Sequence, residues 1–345
     1  MLNSIKSGFY QTSRRPSDRG LLSYEPCPLV ARGMAVHEDG TISKKLNRKE
    51  YKMKKILVIT VLLLLVQPVI AQEKTEQSVT DLAKKTQDPG IVSTQAEETK
   101  QDSASDLAKK TQNPVADLIS VPFQYNTFFD TGPKAKTQNT LLIQPVIPLS
   151  LNDNWNFIAR PIIPLLEQPP LTDAQNRNYG LGNIQFQGFL SPKKPKDWIW
   201  GFGPYLEFPT NSGPDGRFGS DNWSAGPAFV ALKMDGPWVY GSLISHLWSY
   251  HGDDPEVNIT AIQPFLNYNL PDGWYLSSSP VITKNWSAAD SDDQWTIPIG
   301  GGIGRVFKIG KQPVNVSLRA YHNLESPRNG SDWQLQFQIQ FLFPK

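Results

Sequence analysis

Trp333-Gln-Leu-Gln-Phe-Gln-Ile-Gln-Phe-Leu-Phe343 alternates large apolar residues with glutamines along almost its whole length. Successive side chains of a strand point to opposite faces, so Trp333, Leu335, Phe337, Ile339, Phe341 and Phe343 share one face. Gln334, Gln336, Gln338 and Gln340 share the other. The first face suits hydrocarbon and the second suits water, which is the pattern of a transmembrane barrel strand around a wet lumen. Soluble sandwiches alternate too, but an aromatic face backed by glutamine alone fits the barrel better.

Working back from this strand, aromatic and β-branched runs separated by turn signals recur as far as residue 114. They predict strands at 118–129, 138–150, 154–166, 179–190, 197–209, 221–232, 237–249, 256–269, 273–286, 294–307, 313–324 and 331–343. Twelve is an even number, and the connections alternate between tight and long. That is the signature of an all-β, antiparallel, up-and-down transmembrane barrel with short periplasmic turns and longer external loops. The ten tryptophans test the register independently. Trp155, Trp198, Trp200, Trp238 and Trp274 follow short turns, whereas Trp223, Trp248, Trp286, Trp295 and Trp333 adjoin long loops. Two aromatic girdles result, at the depth where indole keeps its ring apolar and its N–H wet.

Met53-Lys-Lys-Ile-Leu-Val-Ile-Thr-Val-Leu-Leu-Leu-Leu-Val-Gln-Pro-Val-Ile-Ala71 has the lysines, short apolar run and small-residue boundary of a secretory signal peptide. Its apolar run is shorter than the ~20 residues of a spanning helix. Residues 53–71 are therefore read as the signal, and residues 1–52 as an upstream extension with translation starting at Met53. The single cysteine, Cys27, lies in that extension, so the exported chain forms no disulfide. Residues 72–113 are polar and too poor in apolar residues to bury a core, and read as a flexible periplasmic leader. Within them Asp81-Leu-Ala-Lys-Lys-Thr-Gln-Asp-Pro89 recurs as Asp106-Leu-Ala-Lys-Lys-Thr-Gln-Asn-Pro114. Each copy can form two helical turns that end before its proline. A solvated leader is weighed here against a helix docked at or inside the lumen. Residues 114–345 form the barrel.

Alternation also nominates lumen-lining side chains. Gln144, Arg160, Gln185, Gln187, Glu207, Arg319 and Gln336 are polar partners of apolar neighbours. Lys284 and Arg305 are placed inward with them, although their strands alternate poorly. Such residues either line a conduction path and set its charge preference or pair across a filled interior. Prolines recur within the strands, as at Pro145, Pro148, Pro161, Pro164, Pro204, Pro227, Pro264, Pro280 and Pro298. Lacking a ladder donor, they predict bulges or gaps near mid-height, and bending is favoured over a narrowed lumen or a lateral path. Acidic residues Asp253, Asp254, Glu256, Asp290, Asp292 and Asp293 fall in the external loops, as solvated charge or as divalent-cation ligands bridging lipopolysaccharide phosphates.

The run Asp106-Leu-Ala-Lys-Lys-Thr-Gln-Asn-Pro-Val-Ala-Asp-Leu-Ile-Ser-Val-Pro-Phe-Gln124, with Leu142-Ile-Gln-Pro-Val-Ile-Pro-Leu-Ser-Leu-Asn-Asp-Asn-Trp-Asn156, resembles a family of bacterial outer-membrane barrels. Its members are labelled simply as transporters, or misleadingly as neuromedin U, and are similar to the barrels of the phenol-degradation MetA pathway. The resemblance covers residues 106–345 and implies an outer-membrane β-barrel for uptake of small organic or aromatic compounds. It carries no catalytic motif.

Nor do the residues supply one. Gly-x-Ser-x-Gly and His-Glu-x-x-His are absent, and Gly300-Gly-Gly-Ile-Gly304 lacks the lysine and helix of a phosphate loop. Ser245 and His246 are adjacent, hence on opposite faces, and cannot act as nucleophile and base together. The formal net charge of +2, without a basic cluster, argues against nucleic acid as a partner. The expectation is a porin-like channel or transporter in the outer membrane of a Gram-negative type envelope, with no cofactor, no metal and no enzyme activity. Its expected partners are outer-membrane lipid and lipopolysaccharide, periplasmic chaperones, the barrel-assembly machinery and a small-molecule solute. A non-conducting structural or surface-interaction barrel is the alternative, and a membrane-embedded hydrolase using His246 or His322 a more distant one.

Overall fold

The computed structural model describes residues 104–170, 176–213, 218–252 and 254–344. The upstream extension, the signal peptide, the first motif copy and Asp253 lie outside the described residues. Among the described residues one α-helix, α1 (Ala104–Thr111), precedes the strand segments β1 (Ile119–Thr131), β2 (Lys136–Ile143), β3 (Ile147–Ser150), β4 (Trp155–Gln168) and β5 (Asn178–Leu181). There follow β6 (Ile184–Pro192), β7 (Ile199–Phe208), β8 (Trp223–Asp235), β9 (Trp238–His251) and β10 (Asn258–Asn269). The last are β11 (Trp274–Ser278), β12 (Ile282–Asn285), β13 (Trp295–Ile309), β14 (Gln312–Glu325) and β15 (Trp333–Phe343).

Three strands of the wall are interrupted, β2 continuing into β3, β5 into β6 and β11 into β12, so the fifteen segments make a wall of twelve antiparallel strands. Sequential neighbours pair throughout, and β15 returns to β1, from Phe343 opposite Ile119 to Trp333 opposite Phe129, closing the barrel. Closure removes the two free edges that an open sheet would present to hydrocarbon, and only the short segments β3 and β5 pair on one side alone, with β4. Each strand expected from the sequence is present, with its ends displaced by at most three residues.

The prolines explain two of the three interruptions. A common register on both sides of the β2–β3 break puts Pro145 opposite Pro161 of β4. The β11–β12 break likewise puts Pro280 opposite Pro264 of β10, and Pro204 of β7 faces Pro227 of β8 directly. A facing pair removes two ladder donors at one level, and at the first two pairs one strand breaks, whereas β7 and β8 keep their register through the third. The three seams recur every third strand around the wall, and all six prolines share the outward parity of their strands. The third interruption, at Gly182-Asn183, has no proline. A side chain at Gly182 would collide with Leu166 and Pro164 of β4.

Register and exposure place all ten tryptophans on the outer face, in two belts. At the end bearing the short turns, Trp155 packs edge-on against Trp200, Trp198 against Tyr240 and Trp238 against Tyr268. At the other end lie Trp223, Trp248, Trp286, Trp295 and Trp333. Between the belts the outer surface is apolar and exposed, with Phe202, Phe229, Ile244, Leu266, Ile303, Leu318 and Phe337 among its residues.

The interior divides into two halves. On the side of β4 to β10, Ile158, Phe189, Tyr205, Val230, Leu232, Val239, Leu243, Leu247 and Phe265 form one buried apolar cluster. On the side of β1, β2, β14 and β15 the inward residues are mostly amides and hydroxyls, with Phe128, Leu142 and Arg319 among them. Glycine makes room at one place between them: Gly304 of β13 lies beneath the Tyr275 ring, which occupies the space a side chain there would need.

Candidate lumen site

The glutamine face of β15 points inward. Asn126 of β1 accepts at its Oδ1 from Gln336 at 3.1 Å, Gln334 at 3.1 Å and Gln124 at 3.2 Å. Gln340 donates to Ser120 Oγ at 2.9 Å and accepts from Asn315 at 3.0 Å, and Tyr275 Oη donates to Asn315 Oδ1 at 2.8 Å. This amide ladder crosses the β1–β15 closure and fixes its register from inside, while Phe123 and Phe341 pack edge-on across it outside.

Between the amide wall and the apolar half runs a cavity of about 240 Å³. It extends from Asn323, Ser326, Gly330 and Ser331 beneath the long loops to Lys110–Pro114 of the leader at the opposite end. Leu118, Phe128, Leu142, Val146, Leu243 and Phe265 contribute apolar lining, so the passage is amphipathic in cross-section.

Of the nine residues nominated from sequence, Gln144, Arg160, Arg319 and Gln336 line this cavity. Arg160 Nη1 donates to Gln187 Oε1 at 3.3 Å, and Arg319 Nη2 to Ser317 Oγ at 3.0 Å. Gln185, Gln187 and Glu207 also point inward but sit within the wall. Gln185 donates to Glu207 Oε2 at 2.7 Å and accepts from Tyr205 Oη at 2.7 Å, so this carboxylate, 5% exposed, is bonded away from the cavity.

The remaining two stand outside, contrary to the sequence reading. Lys284 pairs with Thr260 and with Trp295, both outward, and its Nζ lies 3.7 Å from the ring centroid of Trp286 and 5.1 Å from that of Trp295. Arg305 pairs with Trp274 and stacks over it at 5.0 Å. Each cation sits in an aromatic belt, where ring quadrupoles hold the head at the interface while the stem covers apolar surface. The glycines of β13 and the break at Pro280 remove the polarity contrast that would have revealed this parity.

The second copy of the duplicated motif forms α1, and residues 104–113 of the leader are packed rather than solvated. Leu107 and Ala108, 1% and 0% exposed, join Ala116, Leu118, Tyr275, Val306 and Leu342 at the mouth beside the short turns. Gln112 exchanges amide hydrogen bonds of 2.9 and 3.0 Å with Asn269. Val115 reaches the main apolar cluster. In outer-membrane barrels this end is periplasmic, which places α1 at the periplasmic mouth of the barrel. One leucine per motif copy is too small a signal to show this from sequence.

The other chemical candidates are dispersed. His246 and His322 face outward. His246 Nδ1 lies 2.8 Å from Thr260 Oγ1, and His322 stacks on Trp333 with a ring separation of 4.7 Å. Ser245 is buried on the inward side. In the external loops Arg328 pairs with Asp290 at 3.1 Å and approaches Asp293 at 4.0 Å, and Asp254 accepts from the Asp221 backbone N–H at 2.6 Å.

No protein-family model and no curated protein sequence matches the chain. Among solved structures, the COG4313 outer membrane channel from Pseudomonas putida F1 superposes with a TM-score of 0.52 at 17% identity, over 66% of this chain and 94% of that one. The NanC porin covers 66% of this chain and 100% of its own at 10% identity, with a TM-score of 0.43. The P. putida toluene transporter TodX covers 70% and 91% at 9% identity, with a TM-score of 0.35. The first of these shares the fold. A closed barrel with an apolar exterior, two indole belts, a wet interior wall and this likeness make the chain an outer-membrane β-barrel of the bacterial envelope.

Proposed function

We propose that the barrel passes a small organic solute across the outer membrane without chemistry or cofactor, and that the leader throttles its periplasmic exit. The observation that carries this reading is the cavity running from the external loops to Lys110–Pro114, with amides on one wall and Leu243 and Phe265 on the other. Such a lining lets a molecule with polar and apolar parts move without fully desolvating either. The outer-membrane family that residues 106–124 and 142–156 resemble, itself similar to the barrels of the phenol-degradation pathway, supports the same solute class. A sealed structural barrel is the second reading, favoured by the apolar cluster that fills the side of β4 to β10.

Proteoliposome swelling with solutes of graded size separates the two. Passage predicts swelling for the smallest solutes, and faster swelling once residues 104–113 are deleted. A folded, heat-modifiable barrel that gives no swelling in either form would establish the sealed reading.

A further inference from the structure

Among the described residues, three cationic side chains and no aspartate or glutamate line the cavity. Two of the cations, Arg160 on β4 and Arg319 on β14, are guanidiniums, which stay charged at any physiological pH. Each makes one hydrogen bond to a neutral acceptor, and the Nε atoms of both are buried without a hydrogen-bond partner. Both side chains are half-buried, and a charge partly withdrawn from water without an anion is unfavourable unless something compensates it. The inward carboxylate that could do so, Glu207, is bonded to Gln185 and lies outside the cavity lining.

We infer that the lumen selects organic anions, with Arg160 and Arg319 receiving a carboxylate and the patch of Val146, Leu243 and Phe265 receiving a compact apolar body. This rests on the passage reading above and adds the solute's charge to it. A guanidinium has five donors in a planar fork matched to a carboxylate, so the arginines retain donor capacity for a bidentate guest. A cavity whose described lining holds cations and no carboxylate, within low-dielectric walls, also focuses positive potential and raises the local concentration of anions. The amides of Gln144 and Gln336 supply further neutral donors in the same cavity.

The test uses the full exported chain in nanodiscs and compares calorimetric binding of phenylacetate with that of phenylacetamide, its uncharged counterpart of equal shape. Wild-type protein should bind the acid at least about tenfold more tightly. Arg160→Gln and Arg319→Gln should each reduce acid binding by roughly tenfold, the scale of one charge-assisted contact, and reduce amide binding by a much smaller factor. Lys284→Gln removes a charge on the outer face and should change neither. Equal binding of acid and amide, or a preference that survives in the double variant, would overturn the inference.

A potassium chloride gradient across a planar bilayer gives the second readout. The reversal potential should lie toward chloride in wild type and move toward potassium in the double variant. A conducting barrel without anion preference would refute the charge assignment and leave passage standing. Selective phenylacetate binding without current would do the reverse. Heat-modifiable migration confirms that each variant is folded.

Discussion

Replacing Leu107 by alanine should release the leader from the barrel mouth. Leu107 is 1% exposed and packs among Ala108, Leu118, Tyr275, Val306 and Leu342. Truncating such a side chain costs about 2–3 kcal/mol in lost burial and unfilled space. The eight-residue α1 is too short to persist by itself, so undocking also unwinds it. Anchors that remain include Ala108, Ala116 and Leu118, the two Gln112–Asn269 bonds and Val115. A loss of 2–3 kcal/mol multiplies the undocked population by roughly 30 to 150. Trypsin cuts unwound chain after Lys109 and Lys110, and when opening is rapid the cleavage rate follows the open population. The assay is the rate at which mass spectrometry detects those two cleavages in the folded, membrane-inserted protein. A rise of the expected size supports docking through Leu107. Equal rates in wild type and variant would refute the packing argument and leave the leader without a gating role.

Gly304→Val should destabilise the barrel by about 1–3 kcal/mol, because the new side chain and the Tyr275 ring need the same space. The urea midpoint of refolding into detergent micelles measures this, and relief of the loss in the Gly304→Val, Tyr275→Ala double variant identifies the clash as its cause. Cysteine substitutions test the two arginine and lysine placements. Arg319→Cys should react with a small water-soluble thiol reagent and lose current if the pore conducts, whereas Lys284→Cys should be labelled by a lipid-phase maleimide with its current unchanged. The opposite pattern would restore Lys284 to the lumen.

Strand count, closure and belts were readable from sequence because lipid and water impose opposite demands on alternate residues. The demand is strongest in β15, where every other residue from 334 to 340 is glutamine. It weakens in β8 and β9, where Val230, Leu232, Val239, Leu243 and Leu247 make the inward face apolar as well. It fails for Lys284 and Arg305, because Pro280 and the glycines at 300–302 and 304 erase the contrast between faces. Parity counted outward from Trp274, Trp286 and Trp295 would have recovered both. The proline seams were expected as gaps near mid-height. Their pairing across neighbouring strands depends on register, which single strands do not encode. The docking of α1 was hidden for another reason. Its partners Tyr275, Val306 and Leu342 lie far along the chain, and Leu107 alone gives the helix no readable apolar stripe.

The same contrast bears on the lumen. Arg160, Glu207 and Arg319 look equivalent in sequence, each a charge among apolar neighbours. Three-dimensional pairing separates them, because Glu207 is bonded by Gln185 inside the wall whereas both arginines open onto the cavity.

Single-channel current through the exported chain in a planar bilayer, compared with the variant lacking residues 104–113, tests the proposed solute path along the barrel axis and its narrowing by the leader. Small, discrete conductance steps that become larger in the deletion variant are expected. A folded barrel that carries no current in either form would rule the path out.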